Sequence, residues 1–162
     1  MQNRLFLLLI LTISLASCDS KRVYDTYHSL PNKWHKDSII SFKINPPDTI
    51  QPYNLFVNLR NTNDYPFKNL FLIVEMDFPH GKKVTDTLEY EMAKADGSLL
   101  GTGFSDIKEN KLWYKEGVVF KESGEYTLKV QQAMRENGEV DGVENLKGVT
   151  DVGFRIEKIE QN

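Results

Sequence analysis

Apolar and polar residues alternate with a period of two through most of this chain, and few folds accept that pattern. Successive side chains of a strand point to opposite faces, so each such stretch buries one face and wets the other. In "SIISFKI", Ile40, Phe42 and Ile44 share a face, and Pro46 and Pro47 end the run. "YNLFVNLRN" turns Tyr53, Leu55, Val57 and Leu59 inward and Asn54, Asn58 and Arg60 outward, before the turn-forming "NTNDYP". "NLFLIVEMDF" sets Leu70, Leu72, Val74, Met76 and Phe78 against Phe71, Ile73, Glu75 and Asp77. Its first half is apolar on both faces, which predicts a central strand covered on both sides. "VTDTLEYEM" groups Leu88, Tyr90 and Met92, and "TDVGFRIEKI" groups Val152, Phe154 and Ile156. "KLWYKEGVVF" and "GEYTLKVQQAM" are predicted to pair around the turn "KESG". Roughly seven or eight short strands with turn signals between them predict an all-β fold, an antiparallel β-sandwich of Ig-like or jelly-roll-like type. Gly124, two residues before Tyr126, suits either a tyrosine corner between sheets or a plain hairpin.

The first residues follow a different rule. After Arg4, residues 5–15 carry no charge, and Asp19 follows soon after. A spanning helix needs about 20 apolar residues, so this run is too short to cross a bilayer and instead fits the apolar core of a signal peptide. It ends in Leu15-Ala16-Ser17-Cys18, which resembles the bacterial lipobox. Small side chains let a peptidase grip the extended backbone before the cut, and the following thiol is the nucleophile that takes a diacylglyceryl group. Cys18 is the only cysteine, so it has no disulfide partner within the chain. The expected organisation is a signal peptide over 1–17, a lipidated tether over 18–30 with Tyr24 and Tyr27 able to dock, and one sandwich domain over 31–162. Removing 1–17, which holds one cation, takes the formal charge from −3 to −4. This mild acidity makes no case for nucleic acid, which would need a clustered basic face.

Residues that could carry chemistry are sparse. His28, His35 and His80 are too far apart to make a metal-ligand spacing, so neither metal nor cofactor is expected. "GTGFSD" lacks the lysine of a phosphate loop and reads as a turn. Asp86 with Glu89 and Glu91, or Glu136 with Glu139 and Asp141, could supply the carboxylate pair of a hydrolase, although such residues on strands and loops usually form a solvated face. The acids from Glu136 to Asn145 lack the spacing of a calcium loop. Two glycine-bearing segments with apolar residues, running through 90–114 and 131–158, are the candidate partner-binding edges.

Those segments also carry a likeness. The lipobox, "LEYEMA…GSLLGTGFSDI", "GEYTLKVQQAMR" and "GVTDVGFRIEK", in this order and spacing, resemble the gliding-motility lipoprotein GldH family of the Bacteroidota. The resemblance implies an anchored, non-enzymatic protein that supports gliding and the linked type IX secretion machinery through contacts with other envelope proteins. It implies the outer membrane and leaves the facing side open. Cys18 is the only residue whose role it transfers. Candidate contacts are Leu100, Phe104, Trp113, Met134 and Arg135. The alternative is a lipoprotein that binds a glycan or other ligand on Trp113 and Tyr114.

Overall fold

The computed structural model describes residues 19–103 and 105–159. Cys18, the expected lipidation site, the expected signal segment over 1–17 and Phe104, a candidate contact, lie outside the described residues.

Ten strands run in chain order: β1 (Arg22–Ser29), β2 (Lys33–His35), β3 (Ile40–Ile44), β4 (Pro52–Asn61), β5 (Asn69–Asp77), β6 (Lys83–Glu91), β7 (Lys108–Val119), β8 (Tyr126–Gln132), β9 (Asn145–Lys147) and β10 (Val149–Lys158). One four-stranded sheet has the order β1-β10-β4-β7 and the other β3-β8-β5-β6, with β2-β9 as a separate ribbon. All pairings are antiparallel. The predicted all-β sandwich is the observed architecture.

The inward residues of both sheets form one core. Leu55, Val57 and Leu59 of β4 meet Val152, Phe154 and Ile156 of β10 on one side, and Leu70, Leu72, Val74, Leu128 and Val130 make up the other. Phe42 of β3 reaches Phe154 across the gap at 6.1 Å between rings. Trp34 and Leu146 of the ribbon are fully buried and cap one end of this core. The edges of β6 and β7 are laced by side chains: Tyr114 donates to Asp86 at 2.8 Å, and Tyr90 donates to the Trp113 carbonyl at 2.5 Å.

Four sequence expectations change. The expected tether is mostly β1, which pairs with β10 from Arg22↔Glu157 to Ser29↔Asp151. The folded domain therefore begins at Arg22 and not at Pro31. As an edge strand with an irregularity between Arg22 and Tyr24, β1 loses the clean alternation that would have announced it. Second, β5 is central, but its outer face is open, with Ile73 37% exposed. The strand buried on both faces is β4, where outward-facing Phe56 and Asn58 are 3% and 2% exposed.

Third, β7 and β8 form no hairpin. They lie in different sheets, and the chain crosses between the sheets through "FKESGE". Tyr126 anchors that crossing from a fully buried position, accepting from the Glu122 amide at 3.0 Å and donating to the Glu122 carbonyl at 3.1 Å. A buried tyrosine bonded to backbone just upstream is the tyrosine-corner arrangement. Fourth, Met134, a candidate contact, is core: it is 2% exposed, and its sulfur accepts from the Phe71 amide at 3.1 Å.

Candidate contact face

The outer face of the first sheet carries a dense network of ion pairs, hydrogen bonds and ring contacts. Antiparallel register sets Asp25, Arg155, Phe56 and Trp113 side by side across four strands, with Tyr27, Gly153, Asn58 and Lys111 in the next row. Glu109 and Arg60 follow in the row beyond. Every one of these positions is the outward parity of its strand, so the face is a direct consequence of the two-residue repeat.

Charge and ring contacts bind these rows together. Arg155 reaches Asp25 at 2.7 Å, Glu157 at 2.6 Å, and Asp19 just before β1. Lys111 bonds Glu157 at 2.6 Å and lies 4.1 Å over the Phe56 ring. Arg60 pairs with Glu109 at 2.8 Å and sits 4.1 Å over the Tyr27 ring. Asn58 donates to the Tyr27 hydroxyl at 2.8 Å, and Tyr27 donates in turn to Glu109 at 3.0 Å. Long side chains laid flat in this way explain how Phe56 and Asn58 are buried without a further layer of strands above them.

Burial, then the neighbouring Glu109 carboxylate, pushes the Tyr27 phenol up to about 12. Near neutral pH Tyr27 is therefore a hydrogen-bond donor and not a base. Glu157 is held below the usual carboxylate range: burial works against its charge, but Lys111 and Arg155 outweigh it. Most of the acids and bases of the face are thus paired with one another, while Asp25 Oδ1 and Asn58 Oδ1 are buried there without a hydrogen-bond partner among the described residues. Trp113 rises from it, 53% exposed, with its ring 4.5 Å from that of Phe56. A shallow depression of about 350 Å³ lies alongside, lined by Lys21, Asn54, Phe56, Lys111, Trp113 and Glu157 among others.

The sequence candidates fall in several places. Trp113 belongs to this face. Tyr114, its proposed glycan-binding neighbour, points the other way into the core and is 9% exposed, so the two rings cannot serve one ligand. Arg135 is exposed on the far loop, beside a groove that includes Ile73 and Gln131 of the second sheet. Leu100 is half-buried, its amide bonded to the Met92 carbonyl, while Leu99 next to it packs on the core. Of the two carboxylate sets, the first is separated by parity, with Asp86 on the half-buried face of β6 and Glu89 and Glu91 on the exposed one, whereas Glu136, Glu139 and Asp141 line one open depression on the 136–145 loop. Among the described residues no group of three His, Cys, Asp or Glu is placed to hold a metal ion. Phe56, Lys111 and Arg155 are not singled out by the sequence, and Tyr27 only as a tether residue able to dock. Counting outward parity on β1, β4, β7 and β10 would have found them, had the sheet order been known.

A family model described as GldH lipoprotein matches residues 22–156. A relative from Christiangramia forsetii, named gliding motility lipoprotein GldH homolog, is 56% identical over 153 residues, 94% of each chain. The chain belongs to the GldH lipoprotein family. A second GldH relative, the gliding motility lipoprotein GldH of Flavobacterium johnsoniae, is 56% identical over 152 residues, again 94% of each chain. The GldH match begins at the first residue of β1 and ends within β10, so the matched region includes the edge strand. Among solved structures, the infectious bursal disease virus VP2 subviral particle is similar at a TM-score of 0.43 and 14% identity, over 88% of this chain. This chain spans only 34% of that one, and a likeness of this degree carries no argument.

Proposed function

We propose that this GldH-family chain is a lipid-anchored, non-enzymatic protein of the cell envelope that supports gliding motility. In this reading Cys18 carries the acyl chains and holds the domain at the outer membrane. The domain acts through contacts with other proteins of the motility and type IX secretion machinery. The observation that carries the reading is the 56% identity, over 94% of both chains, to a relative named as a gliding motility lipoprotein. The outer face with Trp113 standing proud of it supports a role in recognition. Two acyl chains would make attachment stable, and confinement to a membrane raises the effective concentration of any other anchored partner.

The test is replacement. A Flavobacterium johnsoniae strain lacking its own GldH, supplied with this chain, is expected to recover colony spreading and secretion. A Trp113→Ala chain should be membrane-bound and folded, yet spread less and retain fewer envelope proteins on purification. A chain that is acylated and folded but restores nothing would overturn the reading. The exposed Trp113 ring also favours a second possibility, a glycan stacked on that ring. Glycan-array binding that disappears in Trp113→Ala, with protein partners unchanged, would establish it instead.

A further inference from the structure

The point at which the lipid enters the fold has a geometric consequence, provided the lipid-anchor reading above holds. Asp19, one peptide bond from Cys18, has its carboxylate on Arg155. The Arg22 amide donates to the Asp19 carbonyl, and the Lys158 amide donates to the Lys21 carbonyl. The stem is therefore docked on the sheet from its first described residue. Consecutive Cα atoms are about 3.8 Å apart, so an acyl-bearing residue at 18 has no slack with which to lift the domain away.

The same end of the molecule gathers several loops. Lys158 of β10 lies opposite Tyr53 of β4, and Pro52 lies opposite Val119 of β7. In the other sheet Ile44 faces Tyr126, and Asp77 faces both Thr127 and Lys83. A chain of rings joins the two sheets here: Tyr53 to Phe120 at 6.1 Å, Phe120 to Tyr126 at 5.0 Å, and Tyr126 to Phe78 at 5.2 Å. The 45–51 loop, the 78–82 turn and the 120–125 crossing thus share one end with the stem.

We propose that this end rests on the bilayer, with Ile50 in the interfacial layer and Lys82, Lys121 and Lys158 at the lipid headgroups. Ile50 is 81% exposed and is held out by a built turn. Asp48 accepts from the amides of Ile50 at 2.8 Å and Gln51 at 2.7 Å, and from the Tyr53 hydroxyl at 2.6 Å. An exposed isoleucine on a fixed turn suits the boundary between headgroups and acyl chains. Several nearby acids are engaged within the protein, Glu122 with His80, Glu125 with Lys43, and Asp77 with Lys83 and Lys129, while Glu116 stays exposed. The three lysines named are exposed at the tips. Val140, 85% exposed at the opposite end, shows that apolar exposure alone does not select the membrane side. The docked stem does.

The ten residues of β4 separate the two ends by roughly 30 Å, which is easily resolved by a depth probe. The full lipidated protein would carry a nitroxide label at Ile50→Cys or, separately, at Val140→Cys. Each would be reconstituted in phosphatidylethanolamine–phosphatidylglycerol vesicles containing a nickel-chelating lipid. The label at 50 is expected to relax several-fold more strongly with the nickel lipid than the label at 140. Equal relaxation at both sites, or stronger relaxation at 140, on protein that floats with the vesicles would overturn the orientation and leave the anchor intact. Protein that does not float would remove the anchor reading and the orientation with it.

Discussion

At the scale of single residues, parity decides what a substitution does. Val74 and Ile73 are neighbours of similar shape, but Val74 is fully buried and Ile73 is 37% exposed. Val74→Asp strands a charge in the core at several kcal/mol, a large share of the roughly 5–15 that keeps a domain folded, and is expected to abolish the thermal transition. Ile73→Asp should melt close to the parent. Glycines divide in the same way. Gly148 has φ +79, and a Cβ there would meet the Tyr65 amide nitrogen at 2.3 Å, whereas Gly117, with φ +66, has nothing within 4 Å. Gly148→Ala should therefore cost roughly 2–5 kcal/mol in denaturant melts and Gly117→Ala only about 1–2, the left-handed backbone penalty alone. Asp77 supplies a pH test. Hydrogen bonding to Lys129, then to Lys83, holds its carboxyl below the usual 3.8. The folded group binds its proton less tightly than the unfolded one, so the pairing stabilises in full above that value and is lost as pH falls through the lower folded one. Asp77→Asn should lower the melting temperature at neutral pH, and the gap from the parent should narrow as pH falls below 3.8.

At the scale of elements, β1 is the strand with most at stake. It supplies Asp25 and Tyr27 to the outer face and Tyr24 to the core beside Phe154. A chain starting at residue 31, the boundary read from Pro31, would expose the edge of β10 and remove three ligands of the Tyr27–Arg155 network. It is expected to aggregate or unfold, while a chain starting at residue 19 should give a cooperative melt; two equal melts would return β1 to the status of a tether. The strand was hard to read because "RVYDTYHS" carries polar residues on both parities. Its outward face is buried by ion pairs and not by hydrocarbon, so hydropathy carries no trace of it. β4 misleads in the opposite direction. Asn58 reads as solvent-facing, yet Tyr27 and its neighbours lie over it.

At the scale of the whole molecule, the proposed anchor and the sandwich would act as one device. In the proposed orientation the Trp113 face would stand alongside the membrane and not against it, where another anchored protein could reach it by lateral diffusion. Cys18→Ser is expected to prevent acylation, leaving an uncut precursor or an unanchored domain, as followed by metabolic labelling with an alkynyl fatty acid. Label undiminished in the serine variant would mean that another residue is modified. A serine variant that still restored spreading would mean that membrane confinement is dispensable.

The period-two pattern by itself was enough to determine an all-β fold of sheets with distinct inner and outer faces, and the sandwich is one of the two ways, with the barrel, to bury the inner one. It also determined the inward residues of β3, β4, β5 and β10, and the residues around Cys18 together with the two loop segments were enough to suggest the family. Sheet order was decided only by the tertiary structure. "KLWYKEGVVF" and "GEYTLKVQQAM" adjoin in sequence and look like a hairpin, but Tyr126 bonds back to Glu122 and sends the chain across to the other sheet. The contact face depended on the same decision. Tyr27, Phe56, Lys111 and Arg155 lie on four strands distant along the chain, and local periodicity says which way each points without saying which strands lie side by side. That choice is made by long-range packing of the core beneath them, which no single stretch of sequence contains.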